Sequence, residues 1–326
     1  MRKLLAILTI LVGAGLLYAV FQFFDANEFL ILIVQIPPSL LLAYLAVSTA
    51  IMLLLVVRWK IICNQHNIHI PFLRLTAYRT VGFAVSFITP GPRVGGEPVR
   101  AGLMTRDNIS MPQAMSTVIA DKTNELLSFG VMFITALAAA AAIMPLPTYL
   151  RLTFAAVALG LLGLVAFGLT HILQGKDPIL KLYKLLRLHK IKWLKKYKKQ
   201  LQEFEDNIHG FYGDNPKHFW QAFSVSCLAW ALSLAEFWLI MLMLGLQPTI
   251  LIVFLIYTVV GIMYLIPIPF ALGTLEAGQA TLFAGLGLPA AAGAVLAMIT
   301  RSRDLLWTFI GLCLLGMYSL EKKRVP

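Results

Sequence analysis

Charged side chains recur inside long apolar runs of this 326-residue chain. Arg93, Glu97, Arg100, Asp121, Lys122, Glu125, Glu236, Glu276, Arg301, Arg303 and Asp304 all lie in or near such runs. A charge at the centre of a membrane helix costs about 2.5–3.5 kcal/mol on insertion scales, so most of these residues must face one another or a wet cavity. Five are cationic and six anionic, which permits near-complete pairing. Lys122 and Glu125, like Arg301 and Asp304, are three apart, a spacing that sets both members on one helix face.

The first of these charges sit in a segment suited to an anion. Pro90-Gly91-Pro92-Arg93-Val94-Gly95-Gly96-Glu97-Pro98 leads into a short helix. Gly95 and Gly96 free backbone N–H groups at its N-terminus, whose positive end favours a negative group. Arg100 lies one turn further on, so Arg93, Arg100 and the glycine turn together suit a phosphate; the competing reading is that Glu97 satisfies the helix start internally. Glu236 and Glu276 stand alone, as proton-coupling acids or as partners for an arginine of the other half. The pairs Lys122/Glu125 and Arg301/Asp304 have two readings of equal weight, as charges lining a path or as structural clamps. Asp121 with Glu125 is the one acid pair suited to general acid–base work. The sequence holds no Gly-x-Ser-x-Gly, His-Glu-x-x-His or P-loop pattern, so an ATP-driven pump is not expected. Cys63, Cys227 and Cys313 are far apart, and His66 and His69 lack a second ligand pair, so neither a metal nor a cofactor is expected.

The composition says what must hold these residues. The chain is 59% hydrophobic and 13% charged, against about half and a quarter in soluble domains. That excludes an ordinary soluble enzyme and a disordered chain, and predicts an all-α polytopic membrane protein. The net charge of +12 then belongs to cytoplasmic loops and anionic headgroups rather than to nucleic acid. A first span is expected over 4–24 and a second over 39–57, the latter stopped at the cytoplasmic interface by Arg58-Trp59-Lys60. The apolar run 76–89 is too short to cross, with Arg74 and Arg79 at its start and Arg106 beyond it, so about 76–106 reads as a re-entrant hairpin from the cytoplasm. A third span begins at Ser110-Met111-Pro112, turns outside at Pro145-Leu146-Pro147, and a fourth returns over 152–173.

Residues 174–218 hold 11 of the 27 Lys and Arg and form a cytoplasmic segment, within which 178–211 is amphipathic: an interfacial helix or a topology-setting loop. A fifth span, 219–244, precedes a second hairpin of about 249–287, broken at Pro267-Ile268-Pro269 and entering from outside. The last span, about 289–320, ends at Lys322-Lys323-Arg324. Six full spans plus two re-entrant helical hairpins put both termini in the cytoplasm. The expected organisation is a first membrane half (1–173), the basic segment (174–218) and a second membrane half (219–326).

The halves resemble each other. Pro90-Gly91-Pro92-x-x-Gly95-Gly96 matches Pro267-Ile268-Pro269-x-x-Leu272-Gly273, and Lys122-x-x-Glu125-Leu126-Leu127 matches Arg301-x-x-Asp304-Leu305-Leu306. With the hairpins entering from opposite sides, the repeat is inverted, a recurring plan in transporters.

Thr89-Pro90-Gly91-x-x-x-Gly95-Gly96-Glu97-Pro98-x-Arg100-Ala101, followed by Asp121-Lys122, resembles the transmembrane family of lysylphosphatidylglycerol synthases, as does the late Pro267-x-Pro269 hairpin with Gly273, Glu276 and Gly287-Leu288-Pro289. The second hairpin departs from the pattern at Ile268 and Ala271, where relatives often carry glycine. The resemblance covers essentially the whole chain and implies a flippase-like lipid role. In the multiple peptide resistance factor proteins a similar region is joined to a soluble aminoacyl transferase domain and moves aminoacylated phosphatidylglycerol outward. This chain, ending at Pro326, is expected to be a stand-alone member without that domain.

The expected function is movement or binding of an anionic, phosphate-bearing lipid in the cell inner membrane. Headgroups would enter between the hairpins, with Arg93, Gly95, Gly96, Glu97 and Arg100 at the phosphate and Lys122, Glu125, Glu276, Arg301 and Asp304 along the path. The rival readings are an intramembrane lipid-modifying enzyme and a non-catalytic partner of a lipid-synthesis enzyme; no nucleic-acid partner is expected.

Overall fold

The structure is a computed structural model that describes residues 34, 36–89, 95–143, 148–173, 216–266 and 268–321. The expected first span, Arg93 and its neighbours 90–94, residues 174–215 of the basic segment, Pro267 and residues 322–326 lie outside the described residues. Among the described residues all regular structure is helical: α1 (Pro38–Gln65), α2 (Phe72–Ile88), α3 (Glu97–Met104), α4 (Met111–Ile143), α5 (Thr148–Leu173), α6 (Pro216–Met243), α7 (Ile250–Leu265), α8 (Thr274–Gly285) and α9 (Ala290–Glu321).

These helices follow the apolar runs of the sequence, with one difference. α1 does not stop at Arg58-Trp59-Lys60 but continues to Gln65. Arg58 and Trp59 are 1% and 0% exposed, so they are core residues and not an interfacial stop.

Helix lengths fall into two classes. α1, α4, α6 and α9 have 28, 33, 28 and 32 residues. At 1.5 Å per residue each is at least about 42 Å long, more than the ~30 Å of a bilayer core. α2, α3, α7 and α8 have 17, 8, 16 and 12 residues, about 26 Å or less.

The two classes alternate in a fixed order: long, short, short, long. α1 to α4 show this order, and α6 to α9 show it again. The helix ends repeat as well. Asn67 and Gly245 follow α1 and α6 in the left-handed region, as do Asn108 before α4 and Gly287 before α9. After α1, Ile68 N–H donates to Cys63 O at 2.9 Å; after α6, Leu246 N–H donates to Met241 O at 3.0 Å. Both are the same helix stop, which needs a residue tolerant of positive φ, hence glycine or asparagine.

The chain divides into two compact units. One comprises Met1–Leu53, Thr76–Val99 and Ala229–Pro326. Its core is built by Phe237 and Ile240 of α6, Val253 and Ile256 of α7, Leu275 and Phe283 of α8, and Val295 and Leu296 of α9. α8 lies tightly on α9: a Cβ at Gly293 would come within 2.5 Å of Gln279 O. Small residues that let helix backbones approach are the usual means of packing in a membrane, where apolar burial between helices drives little. α2 meets α9 in the same way at Gly311, whose Cβ would lie 2.4 Å from Thr80 O. Near the end of α2, Phe87 packs edge-on against Phe270 in the turn before α8, with ring centroids 5.3 Å apart.

The turn after α2 explains its glycines sterically. Gly96 N–H donates to Ser86 Oγ at 2.8 Å. A Cβ on Gly96 would stand 1.9 Å from Gly82 O, and one on Gly95 the same distance from Thr89 Oγ1.

The other unit comprises Leu54–Leu75 and Arg100–Leu228. Here α4 packs along α5. Ile62 of α1, Ala120 of α4, and Phe219 and Ala222 of α6 form a buried cluster.

Large apolar side chains remain exposed along the long helices, Leu42, Leu159 and Phe309 among them, each about two-thirds exposed. Buried charge beneath exposed leucine reverses the arrangement of a water-soluble protein and suits contact with lipid.

The close approaches set a prediction. Gly96→Ala pushes a methyl into the backbone of α2, so it lowers stability by about 1–3 kcal/mol or more, the scale of overpacking. Gly102→Ala, where a Cβ meets nothing within 4 Å, is neutral or stabilising. Thermal unfolding of the two detergent-solubilised variants checks the contrast.

Candidate functional site

Among the described residues each unit holds a cluster of buried charges, and each cluster begins about a third of the way along a long helix. In the unit containing α4, that helix supplies acids. Asp121, fully buried, accepts from Arg58 Nε at 2.7 Å on one oxygen and from Arg100 NH2 at 2.8 Å on the other. Glu125, one turn on, accepts from Arg58 NH2 at 3.3 Å and from Lys122 Nζ at 2.7 Å. Arg58 NH1 also donates to Ser226 Oγ at 3.3 Å, and that hydroxyl donates to Asn124 Oδ1 at 2.7 Å. The Arg100 guanidinium lies 3.9 Å over the Trp59 ring, a cation–π contact. Trp59 in turn donates its indole N–H to Thr117 Oγ1 at 3.4 Å.

Arg58, Arg100 and Lys122 face Asp121 and Glu125, so this cluster carries one positive charge in excess. Arg58 and Asp121 are sealed; Lys122 and Glu125 are 20% and 38% exposed, so the cluster opens at that pair.

In the unit containing α9, the long helix supplies cations. Arg301 pairs with Glu276, near the start of α8, and donates to Ala271 O at 2.7 Å. That carbonyl belongs to the turn before α8, where Phe270 and Ala271 both have positive φ. Ala271 thus takes the left-handed conformation without a glycine, and Arg301 satisfies the carbonyl that the turn exposes. Arg303 pairs with Glu236 of α6 and donates Nε and NH2 to Asp304 Oδ1 at 3.1 and 2.8 Å. Asp304 Oδ2 accepts from the Tyr264 hydroxyl of α7. Trp307, one turn on, donates to Ser48 Oγ at 3.1 Å.

The expected site residues are therefore distributed as follows. Lys122 and Glu125 meet as their spacing suggested. Arg301 turns to Glu276, while Asp304 turns to Arg303 and Tyr264. Arg100 reaches Asp121 and Trp59. Glu97 begins α3 and is 8% exposed, and the Gly96 N–H is taken by Ser86. Arg93 lies outside the described residues. Asp121 and Glu125, the acid pair suited to general acid–base work, are both engaged by Arg58.

Sequence reading missed Arg58 as a site residue, because a cation beside a tryptophan at the end of an apolar run resembles an interfacial stop. The repeat held the signal: Arg58 lies 178 residues before Glu236, and Ser48 lies the same distance before Ser226. Arg58 on α1 answers the acids of α4, and Glu236 on α6 answers a cation of α9.

Because Glu276 is 1% exposed, removing its partner strands a buried charge. Arg301→Leu is expected to destabilise by about 3–5 kcal/mol. Arg301→Leu with Glu276→Leu is expected to recover at least half of that loss, as measured by thermal unfolding of the single and double variants.

Comparison with known proteins gives the chain a family. A family model described as the lysylphosphatidylglycerol synthase TM region matches residues 6–312. Over 93 residues the chain is 33% identical to a UPF0104 membrane protein of Methanothermobacter thermautotrophicus. That stretch covers 28% of this chain and 28% of the relative, so the similarity spans less than a third of the relative's length. Long apolar helices around buried charge and a family match over nearly the whole sequence make this an integral membrane protein that belongs to the lysylphosphatidylglycerol synthase TM region family.

Proposed function

We propose that this protein is a flippase-type lipid carrier of the cell inner membrane that takes an anionic, phosphate-bearing headgroup, and that it acts as a carrier rather than as an enzyme. The observation that carries the reading is the α4 cluster, in which three cations meet two acids among the described residues and Lys122 and Glu125 are partly exposed. A phosphate arriving there meets the Lys122 ammonium and can displace Glu125 from it, while Arg58 retains Asp121. Exchange of one anion for another keeps the low-dielectric interior neutralised, which is the condition for moving a charged headgroup through it.

The proposed topology has six full spans with both termini in the cytoplasm. α2–α3 and α7–α8 are re-entrant hairpins from opposite sides, so that α1–α4 and α6–α9 form an inverted repeat. Two features support it. At about 26 Å or less the short helices fall short of a ~30 Å bilayer core, α2 with its 17 residues by the least. A mid-depth position for their breaks is supported by their anchors: the turn before α8 is held by Arg301, 11 residues into α9, and α3 is held by Asp121, 10 residues into α4. At 1.5 Å per residue both anchors lie about 15–17 Å from the helix start, near the middle of a bilayer core. The contact of Phe87 with Phe270 brings the ends of the two hairpins together at that depth.

Native mass spectrometry of the purified protein tests the function. The wild type is expected to retain one class of phosphate-bearing lipid. Lys122→Ala is expected to retain it roughly tenfold less or weaker still, the scale of a lost charge-assisted hydrogen bond. Equal retention by both proteins, or an unselective lipid mixture in both, contradicts the reading.

A further inference from the structure

A second, independent site is present on α9. Glu236 and Asp304 share one guanidinium, that of Arg303, so this part of the core holds two acids and one cation. All three are deeply buried, at 2%, 2% and 15% side-chain exposure.

The two acids are not served equally. Asp304 receives Nε and NH2 of Arg303 on one oxygen and the Tyr264 hydroxyl on the other. Glu236 accepts from Arg303 NH1 on Oε2 and interacts with the Ser48 hydroxyl. Its Oε1 makes no hydrogen bond of ordinary geometry among the described residues. The Tyr44 hydroxyl is in the same position: 1% exposed, without a hydrogen bond among the described residues, and facing Arg303, Glu236, Asp304 and Tyr264. A carboxylate oxygen and a hydroxyl are thus left beside an uncompensated negative charge.

We propose that Glu236 is a reversible proton-binding site, in which a proton from solvent forms an O–H bond at the unbonded Oε1. The proton neutralises the second acid that shares the Arg303 guanidinium. A metal cation is the poorer occupant, because the Arg303 guanidinium already sits between the two carboxylates and repels it. Proton uptake weakens the Arg303–Glu236 pair and leaves Arg303 wholly to Asp304, so it loosens the link between α6 and α9 inside this unit. The site is separate from the lipid cluster on α4, and its test needs no lipid substrate.

Infrared difference spectroscopy of the purified protein across a pH titration reads the site directly. The expected result is a protonated-carboxyl band that shifts when glutamate, but not aspartate, is isotope-labelled, and that is absent in Glu236→Gln. Glutamate labelling of the wild type decides the matter even where a variant fails to fold. A band that persists in Glu236→Gln, that follows aspartate label, or whose midpoint moves with sodium at fixed pH overturns the proposal.

Discussion

An ionised side chain within an apolar helix must find its counter-charge inside the protein, because desolvation costs several kcal/mol per ion and lipid returns none of it. In this molecule that requirement also fixes where the chain may break. The turn before α8 exposes a backbone carbonyl at Ala271, and Arg301 closes it while pairing with Glu276. α3 is only eight residues long, and Arg100 ties it to Asp121. Arginine–carboxylate pairs thus tie short helices to the first half of the long helix that follows them. The glycines at 95, 96, 293 and 311 then serve close packing, since a Cβ at each would collide with a neighbouring backbone or side-chain atom.

The two repeats solve this problem with opposite signs. α4 presents acids, Asp121 and Glu125, to cations from α1 and α3. α9 presents cations, Arg301 and Arg303, to acids from α6 and α8. Sign reversal leaves one cluster with an excess of positive charge and the other with an excess of negative charge. That division gives the proposed function and the proposed proton site their separate places: an anion suits the α4 cluster, and a proton suits the acid that Arg303 only half satisfies. Helix propensity and apolar patterning alone would permit either sign in either repeat.

Most of the helices were legible in the sequence because uninterrupted apolar runs, prolines and glycines mark their limits; α4, α6, α7, α8 and α9 begin and end within a few residues of the runs that define them. The repeat was legible only from its hairpins onward. Its earlier half, α1 against α6, shares little beyond serine and a charged position of opposite sign, and sign-reversed positions do not register as similarity. The charge pairing was legible in number but not in partner. Spacing of three places Lys122 beside Glu125 correctly, but cannot reveal that Arg301 is drawn away to a turn carbonyl 30 residues earlier in the chain. Arg58 was hidden because its neighbour Trp59 belongs equally to an interface and to a buried cation–π contact; only the fold shows that Arg100 lies over that ring.

The central claim is that two hairpins enter from opposite faces of the membrane, each pinned at mid-depth by an arginine. Cysteine accessibility tests it most directly. With Cys63, Cys227 and Cys313 replaced by alanine, single cysteines at Asn108, after the first hairpin, and at Gly287, after the second, are exposed in turn to a membrane-impermeant thiol reagent applied to sealed vesicles of each orientation. The account predicts that position 108 reacts only from the cytoplasmic face and position 287 only from the outer face. Reaction of both positions from the same face would contradict it.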